Sequence, residues 1–504
     1  METNSRKRRA KAIMVQGTMS NAGKSLLCTG LCRIFSQDGY KVAPFKSQNM
    51  ALNSAITDEG LEMGRAQYVQ AEAARIEPSV LMNPVLLKPV TSMGSQVIVC
   101  GEVRGNCEAS EYYDKKHLLL PEIKSAYDRL ASENDIIVIE GAGSPAEINL
   151  NKDDFVNMGM ARIAGAPVIL AGDIDRGGVF AQLYGTVKLL TEDEQAMIKA
   201  LVINKFRGDV SLLGDGLQMI SELTGKPVAG VVPMLDVDID DEDSLSSRLS
   251  RHDEDAVIDV AVIRLPKISN FTDLAPLEAT AGVGVRYIAK PGEMGRPDLI
   301  VIPGTKSTIS DLRWMRESGI EAVIKDLSGS GTPVIGICGG YQMLGEKITD
   351  SEGAEGGGSI RGMGLLPVVT EFEPEKHRTR TSGEFLEVSG FFSSLSGRPL
   401  TGYEIHMGRT ALAGNGSPLI GLESGELMGC QRGNIYGCYL HGFFDSAECR
   451  RGIFDGIAKS KGIIFSPDTF NWHDHKDEQY DELADGLRAS LDMDMIYRII
   501  EKGI

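Results

Sequence analysis

The chain has 504 residues, 42% of them hydrophobic and 24% charged, with 52 basic against 70 acidic side chains for a formal charge of −18. That length exceeds one ordinary domain, and the balance is that of a globular protein, not a disordered one. The acidic excess argues against nucleic-acid partners, which need a basic surface, and leaves any anionic substrate to a local basic pocket. Eight scattered cysteines with no Cys-x-x-Cys pair, no secretory leader and no apolar run of about 20 residues point to a reduced, cytoplasmic protein without membrane contact. Cys28 and Cys32, four apart on an expected helix, read as buried apolar residues because no second ligand pair lies near them.

After a basic tail over residues 1–11, the first half alternates short apolar strands with helical stretches, the pattern of a mainly parallel α/β sheet. Strands are expected at Ala12–Gln16, Ile136–Glu140, Val168–Gly172 and Leu201–Asn204, within a domain spanning 12–234. Each ends in a Gly-, Asp- or Asn-bearing loop, where ligands of open α/β sheets collect. Asp236, Asp238, Asp240, Asp241, Glu242 and Asp243 then crowd into an expected exposed acidic linker over 235–255. The strand pattern restarts at Val257–Leu265, Leu299–Pro303, Val334–Ile337 and Ile435–Leu440, giving a second α/β domain over 256–450. In a C-terminal helical extension over 451–504, Leu483, Leu487, Leu491 and Ile499 predict an amphipathic helix.

Gly17-Thr-Met-Ser-Asn-Ala-Gly23-Lys24-Ser25 follows the first strand and opens a helix near Leu26. Glycines there let backbone N–H groups cradle phosphate oxygens, and the helix N-terminus adds partial positive charge. Lys24 is placed to reach the β- and γ-phosphates of a nucleotide, and the Ser25 hydroxyl to ligate Mg²⁺. Five residues separate the two glycines where the strict phosphate-loop motif has four. That spacing resembles dethiobiotin synthetase and its relatives, which activate a carboxylate with ATP. The resemblance implies Glu140, ending Ile136–Glu140, as a second Mg²⁺ ligand, and Lys46 as a lysine near the transferred phosphate, an ordinary surface lysine being the alternative. Asn204 would face the adenine.

In the second domain an apolar strand runs into Gly336-Ile-Cys338-Gly339-Gly340-Tyr341-Gln342. Small neighbours permit the strained strand-to-helix turn that exposes a nucleophile, and the helix N-terminus favours the thiolate. His441, at the end of another strand and before Gly442, is the best general base or acid among seven histidines. His406 is its competitor. His473-Asp474-His475 is read as a solvated loop.

Cys338 and the distal His441 resemble the class I glutamine amidotransferases, whose cysteine attacks the glutamine amide and forms a thioester. By that resemblance the N–H groups of Gly304 and Gly339 form the oxyanion hole and Gln342 contacts bound glutamine. His441-Gly442-Phe443 lacks the glutamate that follows the histidine in many members, so the group orienting His441 is unassigned. With Phe45–Ser54, Asp173–Ala181 and Gly402–Gly408 added, nearly the whole chain resembles the corrinoid-amidating branch, the cobyric acid synthases. This implies an ATP-dependent P-loop synthetase domain joined to a glutaminase, amidating four peripheral carboxylates (b, d, e and g) of adenosylcobyrinic acid a,c-diamide with Mg²⁺-ATP and glutamine and no tightly bound organic cofactor. Asp173, Asp175 and Arg176 would border the substrate, Arg176 pairing with a carboxylate, while Asp173 or Asp175 is alternatively a metal ligand or an ammonia-orienting group. The serious alternative is the sister synthase that amidates the a and c positions. A ParA-like nucleotide switch leaves Cys338 idle, and a plain cysteine hydrolase leaves the phosphate loop idle.

Overall fold

A computed structural model describes residues 9–89, 94–150, 153–240, 256–465 and 470–504. It divides into two compact units, one of residues 1–51, 62–239 and 476–504, the other of 52–61 and 240–475. The linear division expected above is thus replaced by an interleaved one. Residues 52–61 join the second unit, and the end of the C-terminal extension joins the first.

The first unit is built on six parallel strands, each a nearly unbroken apolar run as a strand buried on both faces requires. They are β1 (Lys11–Gly17), β2 (Val42–Phe45), β3 (Ile136–Glu140), β4 (Val168–Asp173), β5 (Ile198–Phe206) and β6 (Val228–Pro233), in the order β6-β5-β4-β1-β3-β2. Both neighbours of β1 come later in the chain, so β1 is the switch point at which loops from both sides converge. Helix α1 (Lys24–Gln37) starts directly from the loop after β1 and buries Leu27, Cys28, Leu31 and Cys32 on the sheet. A second sheet of this unit, formed by residues 48–50, 85–89, 94–99 and 102–108, was not foreseen.

The expected C-terminal amphipathic helix is two helices, α5 (Trp472–Ser490) and α6 (Met493–Lys502), which follow helix α4 (Ala447–Lys461). Asp492 caps α6 by accepting from the Met495 N–H at 2.8 Å, which breaks the run. Leu483, Leu487, Ile496 and Ile500 join the core of β1 and α1. His473, Asp474 and His475 therefore open a helix and do not form a loop. Leu235, Val237 and Ile239 pack against the first unit's apolar clusters, alternating with Asp236, Asp238 and Asp240, so the start of the expected linker is partly buried. Residues 241–255, and the tail residues Arg6, Lys7 and Arg8, lie outside the described residues.

The second unit has its own six-stranded sheet: β7 (Ile258–Ile263), β8 (Val283–Ile288), β9 (Leu299–Ile302), β10 (Val334–Ile337), β13 (Cys430–Arg432) and β14 (Ile435–Cys438), ordered β8-β7-β9-β10-β14-β13. All pairs are parallel except the edge strand β13. A long antiparallel hairpin of β11 (Val368–Phe385) and β12 (Pro399–Leu412) forms a separate sheet. No described helix is long and apolar enough to cross a membrane.

Leu487 is fully buried, so Leu487→Ala removes apolar contact and leaves a cavity beneath α1. We expect a loss of about 2–5 kcal/mol, read as a lowered urea midpoint. An unchanged midpoint would mean that α5 does not complete the first unit's core.

Candidate active site

The loop between β1 and α1 turns on Gly23, whose φ of +88° is left-handed. A Cβ there would lie 2.0 Å from Asn204 Nδ2, so only glycine fits. Asn204 itself is buried and donates to the Ala22 carbonyl at 2.9 Å. Its neighbour Lys205 donates to the Asn21 carbonyl and to Asp173 Oδ2, the latter at 2.9 Å. Asn204 is thus a brace of the loop. Asp173 is likewise engaged within the protein. It is 1% exposed, its carboxylate held by Lys205 and by the Asp175 N–H, whereas Asp175 and Arg176 are exposed beyond it.

Lys24 Nζ donates to the Met19 and Gly143 carbonyls at 3.0 and 3.1 Å, aiming the ammonium along the inside of the loop that begins at Gly17. Beside it Glu140, 1% exposed, meets both Ser25 and Lys46. Its Oε1 accepts from Ser25 Oγ and from Lys46 Nζ, each at 2.8 Å. Its Oε2 accepts from Gln70 at 2.6 Å and Gln67 at 3.3 Å. Burial pushes this carboxyl upward, but the Lys46 charge and the hydrogen bonds from Lys46, Gln70 and Ser25 outweigh it and hold the pKa below the ordinary value. Lys46 is buried, not a surface lysine. Gln67 and Gln70 were missed, although their spacing of three on helix α2 (Arg65–Ala73) marks one face.

In the second unit Cys338 joins β10 to helix α3 (Gly339–Leu344) with φ 52° and ψ −110°, a strained conformation for a residue with a side chain. Crowding explains the glycines: a Cβ on Gly340 would lie 1.9 Å from the Ile302 carbonyl oxygen, and one on Gly339 would lie 2.8 Å from Thr305 Cγ2. Cys338 Sγ lies 3.6 Å from the Ile405 carbonyl oxygen on β12. A Cβ on Gly304 would come within 3.4 Å of His441 Cε1, so Gly304 and His441 are immediate neighbours.

His441 is 1% exposed. Its Nδ1 lies 2.6 Å from Asp273 Oδ2, and the Gly442 N–H donates to Asp273 Oδ1 at 3.2 Å. Tyr403 stacks on the ring at 5.1 Å and exchanges both backbone hydrogen bonds with His441. Burial pulls the imidazolium down, but the Asp273 charge and hydrogen bond, followed by the hydrogen bond to Cys338, outweigh it and push the pKa up to about 10. Asp273 supplies the orienting group that the sequence left unassigned. It sits in the turn after Asn270, itself held by Asn53 Oδ1 at 2.8 Å and Tyr403 OH at 2.9 Å.

Gln342 is 2% exposed, and its amide is engaged by Thr308, the Met407 carbonyl and Tyr439 OH, contacts that brace α3. His406 is turned to Glu404, the Gly408 carbonyl and the ring of Tyr439, and His441 is the histidine that meets Cys338.

Chemically, one cluster joins cations, a hydroxyl and a carboxylate around a phosphate-sized loop, and the other is a Cys-His-Asp array with backbone N–H groups alongside. Residues 13–245 match the family model described as the CobQ/CobB/MinD/ParA nucleotide binding domain, and residues 259–449 match the CobB/CobQ-like glutamine amidotransferase domain. The chain is 58% identical to the cobyric acid synthase of Ruminiclostridium cellulolyticum over 98% of both chains. It is 56% identical to that of Lachnoclostridium phytofermentans, over 98% of this chain and 100% of the relative. With the Yersinia enterocolitica protein the identity is 49%, over 97% and 98%.

The raised His441 value depends on Asp273, so Asp273→Asn should lower the imidazole midpoint from near 10 toward the ordinary value of about 6.5, followed by NMR. A group raised on folding adds stability that is complete below its unfolded value and lost as pH rises through the folded one. The variant should therefore lose stability mainly below about pH 10, and an unmoved midpoint would dismiss Asp273 as the partner.

Proposed function

The chain belongs to the cobyric acid synthase family, and for this glutamine-dependent amide synthase we propose the following division of labour between its two arrays. The first consumes ATP to activate corrinoid carboxylates. The second hydrolyses glutamine to supply ammonia. The acceptor is adenosylcobyrinic acid a,c-diamide, whose b, d, e and g carboxylates become amides. The presence of both arrays in one chain carries this reading, because either alone leaves half of the reaction without residues.

A carboxylate resists ammonia because its carbon is electron-rich and oxide is a poor leaving group. Attack by a carboxylate oxygen on the γ-phosphorus gives an acyl phosphate and ADP, and ammonia then displaces phosphate from the acyl carbon. Lys24 and Lys46 neutralise charge growing on the transferred group. Ser25 and Glu140 would hold Mg²⁺. Their oxygens are 2.8 Å apart, which fits neighbouring corners of an octahedron with bonds of about 2.0–2.1 Å. When bound, the ion supplies charge neutralisation at the phosphates. Arg176, exposed after β4, pairs with a substrate carboxylate.

For glutamine, Cys338 Sγ adds to the side-chain carbonyl carbon while the Gly304 and Gly339 N–H groups stabilise the oxyanion. The His441 imidazolium, oriented by Asp273, gives its proton to the departing amine. Water then cleaves the thioester to glutamate. Free ammonia at neutral pH is mostly ammonium, so release inside the enzyme provides the unprotonated nucleophile.

Lys24→Ala should slow synthesis with glutamine and with ammonia alike, the barrier rising by about 3 kcal/mol and the rate falling roughly a hundredfold, measured by ADP release. Near-normal turnover would remove Lys24 from the transferred phosphate.

Cys338→Ser and His441→Ala should each lose glutamine-driven amidation yet retain synthesis with high added ammonia, read by product mass. Equal loss of both reactions in folded variants would defeat the division. With the intact enzyme, conversion of cobyrinic acid to its a,c-diamide and nothing further would replace the proposed substrate.

A further inference from the structure

Outside the Cys338–His441 array, the second unit brings together two histidines and a carboxylate on the β11–β12 hairpin. His377 on β11 pairs directly across with His406 on β12, and Glu404 lies two residues before His406. Alternation along a strand therefore sets all three side chains on one face. One donor atom from each lies within 4.8 Å of the others. Glu404 Oε2 is 3.2 Å from His406 Nε2 and 3.8 Å from His377 Nε2.

The hydrogen bonding of His406 bears on what belongs between these atoms. Its Nδ1 lies 3.1 Å from the Gly408 carbonyl oxygen. A carbonyl only accepts, so the proton is on Nδ1, and the Nε2 of the neutral ring presents a lone pair to the Glu404 carboxylate. Two electron-rich atoms at that separation call for positive charge between them. A proton on either ring would supply it as an ion pair with Glu404, whereas one metal ion would engage both histidines and the carboxylate at once.

We propose that His377, Glu404 and His406 form a binding site for a divalent transition-metal ion of the zinc class. Nitrogen and oxygen ligands with bonds of about 2.0–2.2 Å in a tetrahedral arrangement stand about 3.3–3.6 Å apart. The observed 3.2 and 3.8 Å bracket that spacing. The contact from Nδ1–H to the Gly408 carbonyl is the outer support that metal-bound histidines ordinarily have. Stacking of His406 on Tyr439 at 3.6 Å holds the ring in place. Glu404 and His406 are 8% and 9% exposed, whereas His377 is 52% exposed. An ion thus has an entry path from solvent, and water a fourth position. Tyr403 and Ile405, which flank Glu404, carry the backbone atoms that meet His441 and Cys338. Occupancy ties β11 to β12 beneath that array.

The test uses the full chain in the Cys338→Ser background, so that the thiol beside His441 does not compete, with excess Mg²⁺ to fill hard-ligand sites. After chelator treatment, Zn²⁺ is titrated by calorimetry, and Co²⁺ by its visible spectrum. One saturable equivalent is expected, weakened about tenfold or more by Glu404→Gln and by His406→Gln, each shown to be folded by circular dichroism. His377→Gln should weaken binding less, as befits the exposed ligand. Absence of saturable binding in the background protein, or equal binding in the Glu404 and His406 variants, would overturn the site. A His406 ring protonated on both nitrogens and unperturbed by Zn²⁺ in NMR would assign the positive charge to a proton instead.

Discussion

A carboxylate withdrawn from water must be answered by protons or positive charge, and each unit of this protein is organised round one such group. An uncompensated buried charge costs several kcal/mol, so whatever satisfies it is fixed in position. Glu140 fixes Ser25, Lys46, Gln67 and Gln70 around one pair of oxygens. Asp273 fixes the tautomer, orientation and charge of His441. In both cases electrostatic necessity, not packing alone, sets the geometry of the cluster, so these side chains are preorganised before any ligand is bound.

The two carboxylates occupy comparable places in their sheets. Glu140 ends β3, beside the phosphate loop at the switch point. Asp273 lies in the loops that follow β7, and Gly304 follows β9, beside Cys338 at the end of β10. Parallel strands put all their carboxyl ends on one edge, which is how residues far apart in the chain come into reach. Strain adds to this at Cys338, where the backbone conformation costs about 1–3 kcal/mol and is held by the crowding at Gly339 and Gly340.

Much of this was legible in the sequence because apolar runs between glycine-bearing loops have few other readings. Ile136–Glu140 and Val334–Ile337 are strands with the expected limits, and the phosphate loop and the cysteine elbow each announce themselves locally. Asp273 did not, since it stands 168 residues before His441 with no surrounding motif. For Gln342 and Asn204 sequence supplies the side chain's chemistry but not the protein neighbours that engage it here. The β11–β12 hairpin escaped notice because its many charged and polar residues lack the apolar alternation that marks a half-buried strand. The interleaving of the units was hidden for a related reason: which unit Leu52–Leu61 and Lys476–Ile504 join is set by tertiary packing, with no local motif to mark it.

That interleaving sets the order in which the protein is completed at the ribosome. The first unit begins with β1 and α1, yet the apolar faces of both are covered by Leu483, Leu487, Ile496 and Ile500, which are made only after the whole second unit. At about 5–20 residues per second, the stretch after Ile239 takes on the order of ten to fifty seconds to emerge, during which that surface waits without its native cover. The second unit, by contrast, ends at His475 and has all its residues before the first. The nucleotide-binding half is therefore begun first and finished last, and a ribosome stalled late in the message would release a chain with its glutaminase residues complete and its synthetase core open.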